Sequence, residues 1–212
     1  MDAQWRRWAE SAQQPVAITG AGISVPSGLP TINRSWRGVP LREIFAAQMF
    51  AGDPARFFAC YRELMLEWRE AVPNPAHRAL VRAGVRIITQ NLDGLHQVAG
   101  SGDVLEVHGN LRELVCQHCQ GVYPAHVAET NPLPHCPTCA HLLKPNIVLV
   151  GEEVRHIATA ADWVGQCDLL LVIGTKLEMA PVRDLPQIAR ERGVPILACN
   201  RRAEEMLPAL FA

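Results

Sequence analysis

The sequence predicts an α/β fold built on a parallel sheet and interrupted by two insertions. Three observations carry this. Short β-branched apolar runs alternate with helix-patterned stretches, as in sheets wound with right-handed crossovers. Several of these runs are apolar throughout, as expected for strands covered on both faces. Two stretches break the alternation, one rich in aromatic residues and one holding four cysteines.

The opening segment, MDAQWRRWAESAQQ, reads as a short amphipathic helix with Trp5 and Trp8 on one side. It lacks the apolar centre of a signal peptide. Strands are expected at 15–19, 85–89, 104–108, 147–150, 169–173 and 196–200. The first runs into Gly20-Ala21-Gly22-Ile23-Ser24. Glycines there let the backbone approach a pyrophosphate, and a following helix N-terminus supplies NH groups. Val25 stands where the dinucleotide fingerprint has its third glycine. Plain strand-to-helix packing is therefore the alternative reading of this turn.

Gly174 and Thr175 follow the strand at 169–173 in the same manner, and Asn200 ends the last strand. Ligands of open parallel sheets bind at the carboxyl ends of strands. Gly20, Gln90, Gly174 and Asn200 are thus expected around one crevice. Residues 35–68 read as mostly helical, with Phe45, Phe57, Phe58, Tyr61, Leu64 and Trp68 in an apolar set.

Cys116 and Cys119 form one Cys-x-x-Cys pair, and Cys136 and Cys139 a second. Such paired spacing reads as a zinc site. Four thiolates fill a tetrahedron and leave no position for water, which makes the metal structural. Two disulfides are the alternative. His118 and His135 lie beside the cysteines but outside a complete set. Cys60, Cys167 and Cys199 sit in apolar contexts and read as buried thiols.

The chain has 212 residues, 49% of them hydrophobic, and a net charge of −1. It can bury a core, gives no whole-chain electrostatic case for nucleic acid, and has no apolar stretch of membrane-spanning length. Cysteine usage fits a reducing cytoplasm.

Gln90, Asn91 and Asp93 lie at a strand end, where chemistry often sits. His108 ends the next strand before Gly109 and can act as a general base near neutral pH. A core or capping histidine is the alternative. His96 is expected to be structural, hydrogen-bonded along a helix face to Asp93.

Together these pieces resemble the sirtuin family of NAD-dependent protein deacylases. The matching segments are GAGISVPSGLPT (20–31), PNPAHRAL (73–80), TQNLDGLHQVAG (89–100), VHGN (107–110), the four cysteines, PNIVLVGE (145–152) and GTKLEMAPV (174–182). The resemblance implies a Rossmann-like domain (1–34, 71–111 and 145–212), a helical insertion (35–70) and a zinc-binding module (112–144). It implies that NAD lies between the large and small parts. Gly20, Ala21, Gly22 and Ser24 would belong to its pyrophosphate loop, Gln90 would face the nicotinamide ribose, and Asn91 and Asp93 would line the nicotinamide pocket. Gly174, Thr175 and Lys176 would lie on the phosphate and ribose side, and Asn200 at the adenosine ribose. His108 would be the base, with Asn91 beside it in catalysis. The implied reaction transfers the acyl group of a modified lysine to ADP-ribose and releases nicotinamide. The partner is an acylated-lysine protein or peptide, paired along PNIVLVGE by β-augmentation. ADP-ribosyl transfer or NAD hydrolysis is the alternative.

Four departures from the family pattern bear on specificity. Ile32 and Asn33 replace a phenylalanine and an arginine, which leaves Arg34 and Arg37 as candidates for the missing cation. Lys176 replaces a serine. Leu149 and Val150 replace bulky aromatics of the acyl tunnel. Leu64 follows Tyr61 where members that remove acidic acyl groups carry arginine.

Overall fold

The computed structural model describes residues 3–212. In chain order it begins with α1 (Ala3–Ser11), β1 (Pro15–Thr19), a 3-10 segment (Ala21–Ser27), β2 (Ser35–Trp36) and β3 (Val39–Pro40). Five helices and one strand follow: α2 (Leu41–Ile44), α3 (Ala47–Gly52), α4 (Pro54–Trp68), α5 (Pro75–Arg82), β4 (Arg86–Thr89) and α6 (Leu95–Ala99). Next come β5 (Val104–Glu106), β6 (Gly109–Cys116), β7 (Val122–Pro124), α7 (Val127–Thr130) and β8 (Leu143–Ile147). The chain ends with α8 (Ile157–Gln166), β9 (Leu169–Ile173), α9 (Leu185–Glu191), β10 (Ile196–Cys199) and α10 (Ala203–Leu210).

Five strands form one parallel sheet in the order β10-β9-β1-β4-β5. The chain winds outward from β1 in one direction and then from β9 in the other. Such a reversal opens a crevice at the carboxyl ends of the two inner strands. Successive strand residues alternate between two cores. Ala17, Ile87, Leu171 and Ile173 join one with α5 and α10. Val16, Ile18, Ile88, Leu170 and Val172 join the other with α8 and α9. Both faces are covered, which is why these strands are apolar throughout. Trp5 and Trp8 of α1 pack on the first core.

Helix starts are written locally. Asp53 caps α4 by accepting from Arg56 N at 3.0 Å, ahead of Pro54. Asn74 caps α5 by accepting from Ala76 N at 3.0 Å, ahead of Pro75. Both prolines sit where a missing NH costs nothing.

A second, antiparallel sheet has the order β7-β6-β8 and carries the cysteines. Its apolar face packs with Phe57, Phe58, Tyr61 and Leu64 of α4 in a third core. Here the structure corrects the sequence reading. The strand expected at 147–150 is instead β8, ends at Ile147, and lies in the antiparallel sheet. The helical reading of 35–68 holds only from Leu41 onward. Before it, Trp36 pairs with Val39 across a hairpin, with Arg37 and Gly38 both at positive φ. Two positive-φ turn residues favour hairpin formation because their twist matches the strands. Among the described residues, no helix is long and apolar enough to cross a membrane.

Candidate active site

The loops after β1 and β9 touch where the sheet order reverses. Gly22 N donates to Gly174 O at 2.8 Å and Gly20 N to Ile173 O at 3.0 Å. A Cβ on Gly22 would come 2.7 Å from the Gly174 Cα, and one on Gly174 would come 2.2 Å from Ile23 N. Both glycines are fixed by this approach. The segment after β1 is a 3-10 turn containing Pro26, not the α-helix the sequence suggested; Pro26 cannot donate the regular helical hydrogen bond.

A cleft of about 600 Å³ opens beside this contact. Every cofactor or catalytic candidate read from the sequence lines it: Gly20, Ala21, Gly22, Ser24, Gln90, Asn91, Asp93, His108, Gly174, Thr175, Lys176 and Asn200. Apolar side chains of Phe45, Trp68, Leu92 and Leu149 close its inner side.

Hydrogen bonds hold the polar cluster rigidly. Ser24 Oγ donates to Asp93 Oδ2 at 2.7 Å and accepts from Asn91 Nδ2 at 3.1 Å. Asp93 Oδ1 accepts from Leu95 N at 2.9 Å. Burial raises the Asp93 carboxyl above its ordinary value, against the lowering effect of these donors. Gln90 Nε2 donates to Thr175 Oγ1 at 3.0 Å, and Asn200 Oδ1 accepts from Thr175 N at 2.9 Å. The loops after β4, β9 and β10 are thereby linked.

His108 Nδ1 lies 3.1 Å from Gln90 O. A carbonyl can only accept, so Nδ1 carries the proton and Nε2 keeps its lone pair. Burial lowers the His108 pKa, partly offset by the Gln90 carbonyl. The ring is thus a neutral base at physiological pH. His96 differs from expectation: its Nε2 is 3.0 Å from Thr19 Oγ1, while Asp93 is taken by Ser24 and Leu95.

The departures resolve individually. Arg37 lies over the Trp36 ring and pairs with Glu63 and Glu67, outside the cleft lining. Arg34 does not line the cleft either; the guanidinium that does is Arg42, which the sequence reading overlooked. Its Nε donates to Asn33 Oδ1 at 3.1 Å. Only the helical register of α2 could have pointed to it. Lys176 sits exposed on the rim, 3.8 Å from Glu178. Tyr61 is fully buried and donates to Leu111 O at 3.1 Å. Neither Tyr61 nor Leu64 lines the cleft, whereas Leu149 and Val150 do.

The PNIVLVGE segment is already largely paired. Val148 N donates to His108 O at 2.7 Å, Val150 N to Phe45 O at 2.8 Å, and Ala47 N to Val150 O at 3.2 Å. Among the described residues the Gly151 backbone has no partner. Val148 O and the Gly151 backbone are thus among the unpaired polar groups along this segment.

The sulfurs of Cys116, Cys119, Cys136 and Cys139 all lie within 4.8 Å of one another. Cys116 and Cys139 are 3.4 Å apart and Cys119 and Cys136 3.5 Å. Zinc–sulfur bonds of about 2.3 Å give tetrahedral edges near ~3.8 Å, so the cage fits zinc. The two knuckles match: Gln120 N donates to Cys116 O and Ala140 N to Cys136 O, both acceptors being the first cysteine of a pair. Gln120 and Ala140 both turn at positive φ. His118 and His141 stack with ring planes 6° apart. Imidazole lone pairs lie in the ring plane, so those two cannot converge on one ion. His135 Nδ1 donates to Leu133 O at 2.7 Å. The four cysteines are positioned to bind the metal.

Residues 20–181 match the family model described as Sir2 family. The chain is 36% identical over 217 aligned positions to an NAD-dependent protein deacylase of Thermus thermophilus, covering 96% of this chain and 85% of that protein. A solved Sir2 homolog–NAD complex superposes with a TM-score of 0.92 at 32% identity, covering 100% of this chain and 93% of that one. Sir2Tm bound to a propionylated peptide superposes with a TM-score of 0.86 at 28% identity, covering 98% and 95%. With its reversed parallel sheet, its four-cysteine module and its match across most of its length, the chain belongs to the Sir2 family.

Proposed function

We propose that this protein is an NAD-dependent protein-lysine deacylase that releases nicotinamide and forms an O-acyl-ADP-ribose. NAD supplies an electrophilic ribose carbon to the acyl oxygen of a modified lysine. Everything else is the work of side chains and backbone around the cleft. The backbone at Gly20, Ala21 and Gly22 meets the pyrophosphate. Thr175 and Asn200 take the adenosine ribose, and Lys176 on the rim contributes a screened positive charge near the phosphates. Asn91 and Asp93, braced by Ser24, line the nicotinamide pocket. Gln90 faces the nicotinamide ribose, and His108 Nε2 removes a proton from a ribose hydroxyl. Zinc at the four cysteines supplies structure only.

The observation that carries this reading is the tautomer of His108. Its Nδ1 is committed to Gln90 O, which leaves Nε2 as the basic nitrogen, and the residue lines the same cleft as the Asn91–Ser24–Asp93 cluster. The acylated peptide would add along Gly151, with its acyl chain against Phe45, Trp68 and Leu149. Neutral, apolar acyl groups should be preferred over acidic ones, since burying each methylene is worth about 0.8 kcal/mol. All seven cysteines are unpaired, which suits a reducing cytoplasm.

Mass spectrometry of products from NAD and a panel of acetyl-, butyryl-, longer acyl- and succinyl-lysine peptides tests the proposal. O-acyl-ADP-ribose supports it. Free ADP-ribose formed without peptide, or a mass gain on protein, replaces it with hydrolysis or ADP-ribosyl transfer. Fastest removal of succinyl groups would contradict the stated acyl preference.

A further inference from the structure

We infer that Lys144 is a positioning residue for the acylated peptide, acting through Glu152; this rests on the function proposed above. Lys144 is 2% exposed, an unusual place for an ammonium group. Its Nζ donates to Ile147 O at 2.5 Å and lies 3.0 Å from Glu152 Oε2. The same carboxylate oxygen accepts from Leu149 N at 2.8 Å, and Glu152 N donates to Leu149 O at 2.9 Å. One charge pair, its lysine buried and its glutamate 30% exposed, therefore closes the segment from Ile147 to Glu152 upon itself. That segment is a wall of the cleft and contains Gly151, whose backbone is unpaired among the described residues.

The sheet explains why a side-chain clasp is needed. β6 and β8 pair at Gly109–Ile147 and again at Leu114–Pro145, with a register shift between. Four residues of β6 thus face a single residue of β8, Asn146. Pro145 has no NH to donate. The ladder is interrupted around Asn146, and Lys144 adds a side-chain tie there to the backbone bonds that Val148 and Val150 make to His108 and Phe45. Burial penalises the charged lysine, while Glu152 favours it. A buried ion pair contributes little net stability compared with apolar packing, and its best-attested use is to fix an arrangement. Arg155 NH1 bonds Asn146 Oδ1 beside the clasp and adds a second tie.

The clasp makes no hydrogen bond to the glycine loop, Gln90, Thr175 or Asn200. Its loss should therefore be felt by the peptide and not by the dinucleotide. The test is to measure Kd for a fluorescent acetyl-lysine peptide by anisotropy, Kd for NAD by calorimetry, and both KM values. Wild type, Lys144→Met, Lys144→Arg and Glu152→Gln are compared, each checked for folding by circular dichroism. Lys144→Met should weaken peptide binding about tenfold and leave NAD within about twofold, with Lys144→Arg recovering most of the loss. Peptide affinity within about twofold of wild type in folded Lys144→Met, or an equal loss for both ligands, would overturn the inference. If Lys144→Met does not fold, Glu152→Gln decides: selective weakening of the peptide supports the clasp and unchanged peptide affinity rejects it. Wild type that binds the peptide without deacylating it would reject the proposed function and leave the affinity test intact; wild type that binds no acylated peptide would reject both.

Discussion

The hydroxyl of Ser24 donates to Asp93 at 2.7 Å and so joins the loop after β1 to the loop after β4. With Leu95 N on its other oxygen, the Asp93 carboxylate is an acceptor on both sides. An asparagine keeps one acceptor for Leu95 N but turns the other position into a donor, so the Ser24 hydroxyl must reorient and the pocket loses its carboxylate. Asp93→Asn should lower the rate of NAD cleavage about 10- to 100-fold. The change is isosteric, so the melting temperature should move by only a few degrees. Nicotinamide release is the measurement. An unchanged rate would remove Asp93 from the pocket.

His108→Ala removes the proposed base while leaving the rest of the cleft in place. General-base loss costs about 10²–10⁴-fold in rate. Product formation should collapse by that order, whereas exchange of labelled nicotinamide into NAD, driven by acyl-peptide, should persist. Exchange that is independent of peptide in wild type and unaltered in the variant would reject the role of His108.

Cys116→Ser should yield unstable or aggregated protein, since a structural zinc supplies folding free energy on the order of 10 kcal/mol in small modules. Metal analysis of wild type should find one zinc per chain. A folded, active preparation without zinc would be decisive against this.

Acid should unfold the protein through two facing histidines. The His77 and His96 rings lie 4.9 Å apart in the interior. Burial, with a smaller contribution from Arg78, lowers His77 to about 4. Burial, with a smaller contribution from His77, lowers His96 to about 3. Both folded values lie below the unfolded one of about 6.5, so the unfolded chain binds more protons below that pH. Stability is full above 6.5 and declines as pH falls through 6.5 toward 4 and 3. Each histidine contributes a slope of about 1.4 kcal/mol per pH unit in that window. Urea midpoints between pH 7 and pH 4.5 measure it, and His96→Gln should flatten the curve. A midpoint that does not change over this range would refute the assignment.

The parallel sheet was legible because its strands are buried on both faces and therefore read as unbroken apolar runs. The convergence of Gly20, Gln90, Gly174 and Asn200 followed from sheet topology alone. The gathering of Cys116, Cys119, Cys136 and Cys139 into one cage followed from spacing. What the sequence hid was set by tertiary pairing. Residues 147–150 have the composition of a core strand, yet only Ile147 pairs within a sheet, and the residues after it bond to His108, Phe45, Ala47 and Glu152. His96 sits three residues from Asp93 on paper, but the cap at Leu95 N claims the carboxylate first. Arg42 is separated from the glycine loop by a hairpin whose two turn residues carry no fingerprint of a cleft.

Strand β8 runs from the four-cysteine cage to the cleft: Leu143 stands opposite Cys116, and Ile147 lines the cleft. Linkage through such a strand is reciprocal. If zinc tightens the grip on an acylated peptide, the peptide must tighten the grip on zinc by the same factor. At a given chelator concentration, the equilibrium share of metal-free protein is then smaller while a substrate is held than in the idle molecule.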